Sequence, residues 1–255
     1  MGRLSPDSLF HFTPCRKNIV GILKNTFYPR YCYEEFDLTD KSKDRYTYIG
    51  DAFPMVCFCD IPLSQLMSHI ETYGRYGFGM TKEWGIRSGL NPVIYYNKNS
   101  HMANAIDELA QSLKGSSRKV IEELAVVLMY LKPYEGILYR GGRVTKKDVR
   151  FYDEHEWRYV PDIRVMHDKK LELVLLEEIY LQPRKLKAAN KKLERDETRL
   201  SFTADDIKYI IIDKESEINE MIRELRVIKG SKYDLDTIER MVSRIITVKQ
   251  IENDF

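Results

Sequence analysis

The chain has 255 residues, 43% of them hydrophobic, which is enough apolar material for a substantial core and excludes wholesale disorder. Lysine and arginine (41) nearly cancel aspartate and glutamate (39), so a formal net charge of +2 gives no global pull toward nucleic acid or a membrane surface. Any such partner has to be held by a local patch.

The opening MGRLSPDSLFHFTP lacks the apolar centre of a signal peptide, and no run of 18 apolar residues offers a membrane span. The expected location is the cytoplasm, with Cys15, Cys32, Cys57 and Cys59 as reduced thiols.

In chain order, residues 8–13 (SLFHFT) predict a short strand, followed by a helix from Arg16 to Lys24 with apolar Ile19, Val20, Ile22 and Leu23. Phe27 to Gly50 is aromatic and charged without a clear period, and is expected to be an ordered loop with at most one short strand. MVCFCD (55–60) predicts a strand, and Pro62 suits the first turn of a helix running to Glu71. YGRYGFGMT reads as turn then strand, with a short helix around Trp84 and a β-prone PVIYY after it.

Residues 101–131 carry two helical patterns split near Gly115, expected as a helical hairpin. EGILYRGGRV and VRFYDEHEWRYV predict two strands. LELVLLEEIYL points to a strand near Ile179, and PRKLKAANKKLERDETR is polar and helix-prone. IKYIIID predicts a buried strand, SEINEMIREL an amphipathic helix, and DTIERMVSRIITV a helix running into a strand. Helices and strands mix without regular βαβ alternation. The expectation is one α+β domain over 1–255, with a mixed or antiparallel central β core, flanking helices, and residues 200–255 as a strand–helix extension packed on it.

Several constellations could carry chemistry. His11 and Thr13, two apart in a strand, share a face and could hydrogen-bond a sugar diol or an amide; a histidine satisfied by backbone groups is the plainer alternative. In Glu154-His155-Glu156 the two carboxylates would share a strand face, with Arg158 continuing along it. Such a pair suits acid–base work or stabilisation of a cationic transition state; a solvated strand face carrying a Glu–Arg pair, with Arg158 fixing Glu156, is the plainer alternative. Phe58 and Asp60 would share a strand face, with His69 and Tyr73 four apart on a helix; an aromatic there can stack a flat ring or simply fill the core.

Gly74, Gly77 and Gly79 do not follow a strand and open a helix, so they are no dinucleotide loop. The Cys-x-Cys at Cys57 and Cys59 lacks a second pair, which argues against zinc. Neither GxSxG, HExxH nor a P-loop occurs. Lys185 to Arg199 is basic enough to touch a phosphate backbone, but an exposed helix face also explains it.

Taken together, LFHFTPCRKNIVGIL, PMVCFCDIPLSQLMSHIETYGRYGFGM and EHEWRYVP resemble the signature blocks of the AbiGi family, with a weaker extension through DIKYIIIDKESEI. The resemblance implies a role in bacterial abortive infection, and one description of the family pairs its members, as antitoxins, with a nucleotidyltransferase-like toxin. More distantly, LFHFT with the Asn18 helix, VCFCDIPLSQLM and the late Glu156 are similar to DarT-like ADP-ribosyltransferases, which implies such a fold and NAD as substrate.

On that likeness His11 and Thr13 would hold the nicotinamide-side ribose and carboxamide, and Phe58 or Tyr73 would stack the nicotinamide. Glu156 would bind the ribose 2′-hydroxyl, and Arg16, Lys17 or Arg75 would meet the diphosphate. Glu154 would complete a Glu-x-Glu pair, the acceptor being a protein or nucleic acid. The Ser-Thr-Ser motif of the toxin branch is absent; Cys57, Phe58 and Cys59 lie nearby instead. A rival follows from the first resemblance alone: a non-catalytic module that binds a cognate toxin.

Overall fold

The computed structural model describes residues 5–40, 45–112 and 117–254. In chain order these form β1 (Ser8–Thr13), α1 (Arg16–Asn25), β2 (Arg30–Asp40), β3 (Arg45–Cys59), α2 (Met67–Tyr73), β4 (Tyr76–Thr81), α3 (Lys82–Arg87), β5 (Asn91–Pro92) and β6 (Ile94–Tyr96). They continue with α4 (His101–Ser112), α5 (Arg118–Met129), β7 (Leu131–Pro133), β8 (Glu135–Arg140), β9 (Arg143–Arg150), β10 (Glu156–Tyr159), α6 (Ile163–Asp168), β11 (Leu175–Leu176), α7 (Glu177–Tyr180) and α8 (Pro183–Lys192). Then come β12 (Ile207–Ile212), α9 (Ile218–Lys229), α10 (Leu235–Val242), β13 (Ile245–Thr247) and α11 (Val248–Asp254). The protein is mixed α+β, with a mostly antiparallel sheet and flanking helices.

The chain divides into two compact units, one of residues 1–28, 57–91 and 200–255, the other of 29–56 and 92–199. In the first, β4 pairs antiparallel with β1 from Ser8↔Thr81 to Thr13↔Tyr76, β12 pairs antiparallel with β4, and β13 runs parallel to β12. Strand alternation sends Phe10 and Phe12 to one face, where they meet Ile70, Ile211, Val248 and Ile251. His11 goes to the other face, against Phe27 and Phe58.

Glycine is what lets the first face close. A Cβ on Gly79 would stand 2.7 Å from the Tyr209 ring and 2.8 Å from that of Phe10, so the bare backbone gives these rings room to lie over the strand. Gly74, at φ 125°, ends α2 where a Cβ would meet the Thr13 carbonyl oxygen at 2.2 Å.

In the second unit β2 and β3 form a long hairpin, registered from Arg30↔Met55 to Asp40↔Arg45. Tyr31 and Tyr33 leave one face of β2 and bury among Ala52, Met166, Leu175, Tyr180 and Leu193. β6 pairs parallel with β7, and β8 with β9 antiparallel.

The structure changes several expectations. The aromatic stretch expected to be loop is the β2–β3 hairpin; Tyr31 and Tyr33 share one face of β2, with Arg30, Cys32 and Glu34 at the alternating positions. Ile179 lies in α7, and only Leu175–Leu176 pair as a strand. Pro62 precedes a single 3-10 turn rather than the helix, which starts at Met67. A further helix, α11, follows β13. Two helices do occupy the region split near Gly115, although that glycine itself lies outside the described residues.

Candidate functional site

Glu154 closes a 3-10 turn (Phe151–Glu154), and His155 takes a left-handed conformation (φ 44°, ψ 51°) before β10 begins at Glu156. The expectation that Glu154 and Glu156 share a strand face is therefore corrected: Glu154 lies in the turn, and a left-handed residue separates it from β10. Their carboxylates nevertheless meet at one cation, Lys132 on β7. Its ammonium donates to Glu154 Oε2 at 2.9 Å and to Glu156 Oε2 at 2.6 Å, and lies 4.4 Å from the Phe151 ring centre.

Arg158, two residues along β10 and fully buried, donates from Nε to Glu156 Oε1 at 2.7 Å. Its Nη2 donates to Glu34 Oε1 and, at 3.2 Å, to Glu156 Oε2; its Nη1 donates to the Met129 carbonyl at 2.7 Å. Tyr95 on β6 accepts from the Glu156 backbone N–H at 2.8 Å.

Three carboxylates and two cations thus share one buried pocket of charge, with Glu156 4% exposed and Lys132 6%. Burial pushes Glu34 upward, outweighing the attraction of Arg158 and Lys132. Burial, reinforced by the charge on Glu156, also pushes the Tyr95 phenol up and keeps it neutral. Bidentate guanidinium contacts of this kind fix geometry strongly.

Sequence reasoning missed Glu34, Lys132 and Tyr95. Glu34 alternates with Tyr31 and Tyr33, and a strand reading of 30–40 would have exposed it as a carboxylate entering a second buried face.

The other singled-out residues belong to the first unit. His11 is half-buried, its Nδ1 2.8 Å from the Cys57 carbonyl, which makes that nitrogen the donor. Phe58 is 2% exposed and meets Phe27, Trp84 and His11 at ring-centre distances of 5.2, 5.4 and 5.5 Å. It packs in the aromatic core of this unit, the plainer of the two expectations for this ring. Asp60 lies past the end of β3, held by Lys82 Nζ at 2.7 Å and by Ser5.

Thr13 is buried and donates to the Cys15 carbonyl at 3.2 Å. Asn18 is exposed on α1. Tyr73 packs 4.3 Å from the His69 ring, as their spacing predicts. Arg75 is bound through Nε to Asp213. A cavity of about 670 Å³ in this unit is lined by Asp7, Lys82, Arg87, Lys208 and Arg244 among others, and none of the proposed NAD-binding residues lines it. Among the described residues there is no cluster of His, Cys, Asp and Glu able to hold a metal, and no helix long and apolar enough to cross a membrane.

Fold and site together describe an α+β protein with a buried network of three carboxylates and two cations. A family model described as "Putative abortive phage resistance protein AbiGi, antitoxin" matches residues 25–213, and the chain belongs to this family. It is also similar to the abortive phage resistance protein AbiGi of Lactococcus lactis subsp. cremoris, 27% identical over 249 residues that cover 90% of this chain and 99% of that protein. No solved structure matches at a significant level. The protein is a phage-defence protein of the abortive-infection type.

Proposed function

We propose that the chain acts by contact, as an antitoxin that binds and restrains a cognate protein toxin, of nucleotidyltransferase type on the family resemblance. The observation that carries this reading is the outer face of α5. Val120, Ile121 and Val127 are 46–51% exposed, although the helix already buries Met129 on its opposite side. At 100° per residue, Val120, Ile121, Leu124, Val127 and Leu128 fall within about 120° of arc, a stripe wide enough to seat a partner. A helix apolar on two sides is normally covered on both.

The alternative, NAD-dependent ADP-ribosyl transfer, would rest on Glu156, His11 and Glu154 with Thr13, Asn18, Phe58, Tyr73 and Arg75. As arranged, these residues do not fit NAD well. Glu156 is saturated by Lys132 and Arg158, and Phe58 is enclosed by aromatic rings. Glu156 accordingly reads as a structural anchor.

The test is co-expression with the toxin. Ile121→Lys and Val127→Lys, both at half-exposed positions, should leave the fold intact while abolishing growth rescue and co-elution on size exclusion. Full rescue by both variants would remove α5 as the docking face.

A further inference from the structure

We propose that the β8–β9 hairpin and the tyrosine cluster at its open end form a binding site for single-stranded nucleic acid. From Glu135 to Arg150 the hairpin carries five cations (Arg140, Arg143, Lys146, Lys147, Arg150) against two carboxylates (Glu135, Asp148). That is a local excess larger than the net +2 of the whole chain. Arg143, Lys146, Lys147 and Arg150 are all exposed. Arg150 has only a loose pair with Asp153, at 3.8 Å, both side chains being mostly in water. At the tip Arg140 and Arg143 face each other across the strands, an arrangement that costs stability and concentrates positive potential.

The register Glu135↔Arg150 sets the other end of the hairpin beside Tyr134 and Tyr152. These two rings are exposed by 39% and 48%, and they stack at 5.6 Å with 29° between planes. Tyr152 is braced edge-on by Tyr95 at 5.3 Å and flanked by exposed His155 at 5.5 Å. Tyr95 is in turn fixed by the Glu156 backbone N–H. A braced aromatic pair at one end of a cation-rich hairpin is what unpaired bases and their phosphates require: the rings stack the bases and the cations meet the backbone.

Exposed cations continue past the tip. A Cβ on Gly142 would lie 2.7 Å from the Tyr180 carbonyl, so the tip rests on the segment leading into α8. That helix exposes Arg184, Lys185, Lys187, Lys191 and Lys192 on the side opposite buried Leu186. β9 alone spans about 26 Å at ~3.3 Å per residue.

The experiment measures fluorescence anisotropy of the full chain with labelled oligo(U), oligo(dT) and a duplex, each about 20 nucleotides long to exceed a typical single-strand footprint. Tyr152→Ala and Tyr134→Ala should each weaken single-strand binding about tenfold, the usual effect of removing one ring from under a base. Lys146→Glu with Lys147→Glu should abolish binding at moderate salt and flatten its salt dependence, by about 0.7 in logarithmic slope for each phosphate no longer neutralised. Circular dichroism checks that each variant is folded. Preference for oligo(U) over oligo(dT), or the reverse, identifies RNA or DNA within the proposal. Absence of binding by the wild type, equal affinity for duplex, or indifference to the tyrosine changes in folded variants overturns it.

Discussion

Replacing Arg158 with methionine keeps most of the side-chain volume and removes the cation at the centre of the buried network. Glu34 is then left without the guanidinium that donates to it, Glu156 without the bond at 2.7 Å and the longer one at 3.2 Å, and the Met129 carbonyl without a donor at 2.7 Å. Lys132 remains, but it is already shared between Glu154 and Glu156. Removing one member of a buried ion pair costs about 3–5 kcal/mol, because the partner is left charged and desolvated. A domain stable by about 5–15 kcal/mol would lose a large share of its margin.

Urea unfolding followed by circular dichroism and by tryptophan emission gives the free energy, with buried Trp84 in the first unit and Trp157 on β10 in the second. Adding Glu34→Gln to Arg158→Met removes one anion with the cation and should recover about 1–3 kcal/mol through their coupling. A loss below about 1 kcal/mol for Arg158→Met, with no recovery in the double variant, would refute the reading of this cluster as the anchor of the second unit.

Glu34 alone gives a pH prediction. Its pKa is raised by burial, so its contribution to stability is present below the ordinary carboxylate range and is lost as pH rises through the folded value. Glu34→Gln mimics the protonated form; relative to wild type it should gain stability as pH rises above the ordinary carboxylate range, and a relative loss over that rise would contradict the sign. Gly74→Ala should cost at least about 3 kcal/mol in thermal or urea unfolding, from strain at positive φ and a clash with the Thr13 carbonyl; a neutral effect would show that this turn relaxes freely. Gly21→Ala, in the interior of α1 with nothing within 4 Å of its added Cβ, should instead stabilise by about 0.5–1 kcal/mol, and a melting temperature lower than wild type would be the contrary outcome.

Elements whose burial is aliphatic or aromatic were legible in the sequence. SLFHFT and IKYIIID are short apolar strands, and α9 repeats at three and four with Met221 and Leu225 buried. The β2–β3 hairpin was not, because its second face holds a charge network instead of aliphatic residues, so Glu34 reads as a solvent position. Ile179 was misplaced for the reverse reason: a β-branched residue sits in a four-residue helix whose Tyr180 is held by tertiary packing.

At the candidate site, sequence placed Arg158 on Glu156 correctly, since strand neighbours two apart share a face. It could not foresee the left-handed turn at His155, which brings Glu154 around to Lys132. Lys132 comes from 22 residues away in sequence, beyond the reach of any local pattern.

The central claim, action by contact rather than by turnover, is tested most directly by removing Lys132 and Glu156 together. Lys132→Met with Glu156→Gln deletes one cation and the carboxylate bonded to it at 2.6 Å, so the network keeps its net charge, although Glu154 loses its bond from Lys132 and the fold of the variant is checked first. Phage protection and nicotinamide release are then measured in the same cells, for wild type and for the variant confirmed as folded. The account predicts protection at the wild-type level in the variant and no nicotinamide release from either protein. Nicotinamide release by the wild type that disappears with protection in the folded variant would contradict it.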